Sequence, residues 1–194
     1  VFLGIAEFFT LLGFVLLVFA FAEPVVHHQE RVYTSRGTDI VFVLDTSPSM
    51  AAKDINGFTR IEAAISAIEK LVMNNSGASY GLILMGAESA VSVPITNDLE
   101  YFKKRLSTVS IGTLGDGTAI GTGLCSAIYH IKSTLAKRKC IILLTDGENN
   151  SGEVHPETAS GLAKKNGISL YTVGIGTNGT VPIEYVNVET GKVF

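Results

Sequence analysis

Residues 39–50, DIVFVLDTSPSM, decide how this chain is read. Ile40 to Leu44 is an unbroken apolar run that stops at Asp45, as a strand buried on both faces of a sheet should. A polar turn, Asp45-Thr46-Ser47-Pro48-Ser49, follows at once. A second run, Cys140 to Thr145 (CIILLT), closes in the same way on Asp146-Gly147. Two buried strands that each end in an aspartate imply a parallel sheet with polar loops gathered at one edge.

The rest of the chain fits that frame. Ile61, Ala64, Ile65, Ile68, Leu71 and Val72 recur at helical spacing and predict an amphipathic helix over 59–74. Tyr80 to Met85 reads as a strand, and Ala90 to Ile95 as another that Pro94 confines to a sheet edge. Asp98 to Leu106 reads as a short helix with Asp98 near its start. A loop at 112–118 precedes a helix over 119–135. A further helix covers 156–166, with Pro156 suited to its first turn. A strand at 168–175 and a hairpin at 181–194, turning at Glu189-Thr190-Gly191, complete the pattern. The order β-α-β-β-α-α-β-α-β predicts an α/β fold: a doubly wound, mostly parallel sheet with one antiparallel edge strand.

Ahead of this domain lies a different composition. Mean hydropathy is +0.35 and 46% of residues are hydrophobic, with the excess concentrated in residues 2–22. Only Gly4, Glu7, Thr10 and Gly13 interrupt that run of Ala, Val, Ile, Leu and Phe. A helix of this length spans about 30 Å, the thickness of a bilayer's hydrocarbon core. The expected organisation is a transmembrane helix at 1–23, cut short at its start, then a juxtamembrane linker at 24–38 and the α/β domain at 39–194, cut short at its end. A cleaved signal peptide is the alternative: Ala20-Phe21-Ala22 resembles a cleavage site, but no basic segment precedes the run and it exceeds a signal's apolar stretch. Glu7 is costly in lipid and calls for an interface or a partner helix.

A net charge of −3 carries no nucleic-acid footprint. Cys125 and Cys140 each sit in an apolar stretch and read as core packing, with a bridge between them open in an oxidising compartment. The adjacent His27 and His28 read as a solvated linker pair.

Chemistry should lie at the carboxyl ends of the strands. Three polar clusters fall there: Asp45-Thr46-Ser47-Pro48-Ser49, Gly115-Asp116-Gly117-Thr118 and Asp146-Gly147-Glu148. Together they offer carboxylates and hydroxyls without a neighbouring imidazole or thiolate. All-oxygen ligation of this kind suits Mg²⁺ or Mn²⁺.

Asp45, Ser47 and Ser49, then Thr118, then Asp146 within LLTDGEN resemble the metal-ion-dependent adhesion site of von Willebrand factor A (VWA) domains. The resemblance runs from about Thr38 to about Gly176. The segments GDGTAIGTGL (115–124), IILLTDGENNSGEVHPETAS (141–160) and YTVGIGT (171–177) are similar to the BatA-type aerotolerance-operon membrane proteins. That resemblance implies a bacterial inner-membrane protein with a periplasmic domain, linked to a MoxR-type AAA+ ATPase system and tetratricopeptide (TPR) proteins. It implies that Ser47, Ser49 and Thr118 supply hydroxyl ligands, and that Asp45 and Asp146 bind the metal directly or through water. A partner's Asp or Glu would complete the metal's shell. Pro48 stands where the family usually has glycine. Asp54, Asp116 and Glu148 either add negative potential there or are solvated loop carboxylates. In a bacterial protein the Asn-x-Ser/Thr triplets at Asn74, Asn149 and Asn178 carry no glycosylation meaning.

Two other readings compete with this protein-binding module. A metal-dependent phosphate-ester hydrolase would use Asp45 as nucleophile with a second aspartate two residues on. Ser47 stands there instead and cannot act as a general acid near neutral pH. The other is a membrane scaffold whose metal site is vestigial. The expectation is a non-enzyme.

Overall fold

The computed structural model describes residues 2–21, 37–75, 77–147, 149–177, 181 and 183, with the side chains of residues 2, 3, 6, 19 and 20 left undescribed. The chain divides into two compact units, Val1–Val32 and Tyr33–Phe194.

The first unit contains one helix, α1 (Phe2–Phe21), whose apolar residues run all round it. Phe8, Phe9, Leu11, Phe14 and Leu16 keep 61–66% of their surface exposed. Among the described residues no helix is long and apolar enough to cross a membrane.

The second unit is built on a five-stranded sheet of order β3-β2-β1-β4-β5. Its strands are β1 (Thr38–Asp45), β2 (Ser79–Met85), β3 (Ser89–Thr96), β4 (Arg138–Thr145) and β5 (Ser169–Gly174). All neighbours are parallel except β2 and β3, which pair antiparallel, so β3 is an edge strand and Pro94 lies where a missing N–H is tolerated. The expected α/β architecture is therefore the observed one.

Alternation along β1 splits the core into two layers. Val41 and Val43 face one layer with Ile83, Ile141 and helices α4 (Ile120–Lys132) and α5 (Pro156–Lys165). Phe42 and Leu44 face the other, with Tyr80, Leu82 and helices α2 (Arg60–Asn74) and α3 (Leu99–Leu106). Phe42, Tyr80 and Phe102 form a triangle of rings with centroids 5.7–6.1 Å apart. Thr59 caps α2 by accepting from the Glu62 N–H, while Glu62 accepts from Thr59 N–H in return.

Two details depart from the sequence reading. A 3-10 turn at Pro48–Ala51 follows β1 and was not foreseen. Helix α4 ends at Lys132 rather than Leu135. There the Thr134 hydroxyl donates back to the Ile131 carbonyl at 2.9 Å, a local bond that competes with continuing the helix. The expected hairpin at 181–194, and most of the linker at 24–38, lie outside the described residues. Cys125 and Cys140 are both free thiols, half-buried, and burial pushes both thiol pKa values up, which keeps them poor nucleophiles.

One contact ties α4 to the sheet edge. The Ile95 N–H donates to His130 Nε2 at 3.1 Å, and burial pushes the His130 imidazole below its usual pKa of 6.5. The unfolded imidazole takes up a proton that the folded one resists, so stability falls as pH drops through about 6.5 and below. His130→Gln should flatten that decline in melting temperature between neutral and mildly acidic pH. An identical decline in the variant would show that His130 does not contribute.

Candidate functional site

Sheet order locates the site. From β1 the chain crosses to β2 on one side, and through α4 it returns to β4 on the other. Loops leaving β1 and β4 therefore diverge, and the carboxyl ends of these two strands open a crevice. Asp45 is the last residue of β1, and Asp146 directly follows β4.

Asp45 is fully buried. One carboxylate oxygen accepts the Ser47 N–H at 2.9 Å, and the other accepts the Thr145 hydroxyl at 2.6 Å. Burial pushes its pKa up; the bonds from Thr145 and Ser47 oppose that shift, and the Asp146 charge adds to it. Among the described residues no ion pair compensates it. A carboxylate so placed has spare acceptor capacity and a strong electrostatic need for a cation.

The turn after β1 aims two hydroxyls at the same point. Ser47 is extended, with φ −62° and ψ 158°, and Pro48 opens the 3-10 turn, closed by a bond from the Met50 N–H to the Ser47 carbonyl at 3.0 Å. Proline's missing N–H costs nothing at that first position. The turn therefore does not require a glycine at position 48. Ser47 Oγ and Ser49 Oγ are 3.0 Å apart, and Ser49 Oγ donates to Asp146 Oδ1 at 2.8 Å.

Thr118, 3% exposed, lies just before α4. Its N–H donates to Asn150 Oδ1 at 2.8 Å, and its carbonyl accepts the Asn150 N–H at 3.1 Å. The Ala119 N–H bonds to the Gly86 carbonyl at 2.8 Å. A Cβ added to Gly147 would stand 3.9 Å from Thr118 Oγ1, so that hydroxyl adjoins the Asp146-Gly147 turn. All five residues singled out in the sequence therefore come together: four are joined by hydrogen bonds and Thr118 borders them.

Arg60 was not foreseen. Its guanidinium bonds Asp146 Oδ2 through Nη1 at 2.6 Å and grips Asp54 through Nε and Nη2 at 2.7–3.1 Å. Asp54 also accepts the N–H and hydroxyl of Thr177, both at 2.9 Å. The Arg60 guanidinium holds the Asp54 carboxyl well below the usual carboxylate range, and Asp54 in turn pushes Arg60 up. Asp54 is thus neither a solvated loop carboxylate nor an unopposed source of negative potential, since Arg60 offsets its charge. Asp116 is exposed, and Glu148 lies outside the described residues. One sequence signal pointed to Arg60: a cation in a helix's first turn opposes the helix dipole and needs carboxylates to hold it. Thr145 and Asn150, which orient Asp45 and Thr118, had no comparable signal.

A cavity of ≈ 510 Å³ opens beside these groups, bounded by Arg60, Thr145, Asp146, Gly147 and residues 172–177. Among the described residues no three His, Cys, Asp or Glu gather into a metal cluster. The donors here are two carboxylates and three hydroxyls, an all-oxygen set that fits a hard divalent cation.

Comparison with known proteins agrees with this architecture. The family model for the von Willebrand factor type A domain matches residues 39–187. An uncharacterized protein of Borreliella burgdorferi is 34% identical over 186 residues, covering 96% of this chain and 54% of its own length. The chain thus spans about half the length of the curated relatives it matches. Among solved structures, an aerotolerance-related membrane protein from Bacteroides fragilis superposes with a TM-score of 0.72 at 28% identity, covering 81% of this chain and 80% of that one. Proximal thread matrix protein 1 from the mussel byssus, in a form with a zinc-occupied MIDAS motif, gives a TM-score of 0.61 at 26% identity, covering 73% of this chain and 36% of that one.

Proposed function

The chain belongs to the von Willebrand factor type A domain family, and on that footing we propose that it binds an acidic group of a protein partner through a divalent metal. The observation that carries this reading is the hydrogen-bonded series Ser47, Ser49 and Asp146 beside the buried, unpaired Asp45. Asp45, Ser47, Ser49, Thr118 and Asp146 would hold Mg²⁺ or Mn²⁺, and the zinc-occupied motif of the mussel protein supports divalent occupancy of such a site. A bound dication would supply an electrophilic centre for a partner's Asp or Glu. The chain's own residues do the positioning. Thr145 orients Asp45, Arg60 fixes one oxygen of Asp146, and Asn150 fixes the backbone of Thr118 at the head of α4. With both carboxylates balanced by a dication and Arg60 balanced by Asp54, the site would be close to neutral, so an anionic ligand would be drawn by an open position on the dication itself.

The role is binding rather than turnover, since Ser47 occupies the position a phosphotransfer acid-base would need. Release of phosphate from a generic ester, lost in Asp45→Asn, would reinstate the hydrolase. Helix α1 is proposed as the membrane anchor: its 20 residues extend about 30 Å, and its outward apolar side chains match a lipid environment. A bacterial inner-membrane location with the domain in the periplasm, and partnership with a MoxR-type ATPase system and TPR proteins, follow from the family resemblance.

Calorimetric titration of Mg²⁺ and Mn²⁺ into the whole chain in detergent micelles tests the central claim. Saturable binding at one site is the expected result. A folded chain that takes up neither ion would leave the scaffold reading standing in its place.

A further inference from the structure

We propose that the rim of the domain opposite the metal site docks onto anionic phospholipid headgroups; this inference rests on reading α1 as a membrane anchor. Helices α4 and α5 both end at this rim, at Lys132 and Lys165, and β4 begins there at Arg138. Lys132, Lys137, Arg138, Lys164 and Lys165 are all exposed along it. No Asp or Glu occurs between Tyr129 and Cys140 or between Thr158 and Ser169. The charge is therefore not internally balanced in either segment.

Apolar groups project among these cations. Leu135, in the turn between α4 and β4, is 82% exposed, and Tyr129 is 60% exposed. Lys132 Nζ stands 4.1 Å from the centre of the Tyr129 ring. A groove of ≈ 290 Å³ runs between α4 and α5, bounded by Tyr129, Lys132, Leu162 and Lys165 among others. An exposed leucine in a segment that carries Lys132, Lys137 and Arg138, together with an exposed tyrosine under a lysine, is the chemistry of the bilayer interface. The apolar group enters the acyl boundary while the cations meet phosphates.

Chain connectivity selects a bilayer over an acidic protein. Thr38, where the chain enters β1, pairs in register with Arg138 on this same rim. Residues 22–37 join it to α1, and their full extension reaches at most about 55 Å. An anchored chain therefore keeps this rim at high effective concentration against lipid. The metal centre lies at the other end of β1, about 23 Å away along the strand, and would face outward toward partners.

The native chain has no tryptophan, so Leu135→Trp installs a single reporter. The whole chain carrying it is reconstituted into vesicles of phosphatidylcholine, with or without phosphatidylglycerol. Expected is a blue shift in emission, with quenching by brominated acyl chains, only in the phosphatidylglycerol vesicles. The docked-to-undocked ratio should fall about fivefold for each cation removed, as in Lys137→Gln or Arg138→Gln, and docking should disappear at high salt. An unshifted, unquenched signal in both vesicle types overturns the proposal. So does a shift produced by polyglutamate but not by phosphatidylglycerol, which would assign the rim to an acidic protein. Flotation with neutral vesicles reads the anchor separately. Loss of flotation overturns the anchor and this inference with it, whereas flotation with an unshifted signal overturns the docking rim alone.

Discussion

Asp45→Ala and Asp146→Ala should each abolish measurable Mg²⁺ and Mn²⁺ binding while leaving the sheet folded. Removing a group that only orients a ligand costs about 10- to 100-fold in metal affinity, and removing the ligand itself costs more. The two variants should differ in stability. Asp45 is buried and its charge disfavoured there, so Ala removes that penalty but leaves the Ser47 N–H and Thr145 hydroxyl without an acceptor, and the stability of the metal-free domain should change little. Asp146 bonds both Ser49 and Arg60, and its loss leaves the mostly buried guanidinium with Asp54 alone. Asp146→Ala should therefore lower the melting temperature of the metal-free chain, whereas Asp45→Ala should not. Calorimetry paired with thermal melts in chelator checks both halves. Wild-type metal affinity in either variant would remove that residue from the site.

The second large effect is expected at Gly121. This glycine lies in the first turn of α4, and a Cβ there would fall on the Val154 carbonyl oxygen, with the Val154 carbonyl carbon 2.6 Å away. The obstacle is backbone, so no rotamer relieves it. Gly121→Ala gains about 1 kcal/mol in helix propensity, but a clash of this kind costs on the order of 3 kcal/mol, so the net effect is destabilising. Either α4 or the 149–155 segment must move, and that segment contains Asn150, which fixes Thr118. Metal affinity should fall together with stability. Gly123→Ala is the contrast on the same helix: its Cβ would meet side-chain atoms alone, the Met85 sulfur at 3.0 Å and Met85 Cβ and Val43 Cγ1 at 3.2 Å, and side chains can give where a carbonyl cannot. Denaturant midpoints of the two variants in the whole chain make the comparison. A Gly121→Ala chain as stable as the wild type would show that the packing of α4 against residues 154 and 155 is looser than described.

Much of the arrangement was legible along the chain because each signal was local. Continuous apolar runs ending at Asp45 and Thr145 mark strands buried on both faces, and helical spacing in 61–72 marks α2. Pro94 marked the edge strand, since only there is a missing N–H harmless. Asp45, Ser47 and Ser49 are separated by two residues each, so a single turn brings them together. The order of strands and helices put the loops of Thr118 and Asp146 at the same edge of the sheet, and the choice of these two residues from those loops rested on the family resemblance.

Only the tertiary structure decided the rest. Arg60 and Asp146 are 86 residues apart and Asp54 and Thr177 are 123 apart, and no periodicity relates such pairs. Their meeting depends on α2 starting beside the end of β4, a consequence of the switch between β1 and β4. The same is true of Thr145 holding Asp45, of Asn150 holding Thr118, and of the exposure of Leu135. Sequence specifies strands, helices and their faces because backbone hydrogen bonding and side-chain burial repeat with short periods. Which charges neutralise one another depends on distances across the fold, and those are set only when the layers pack.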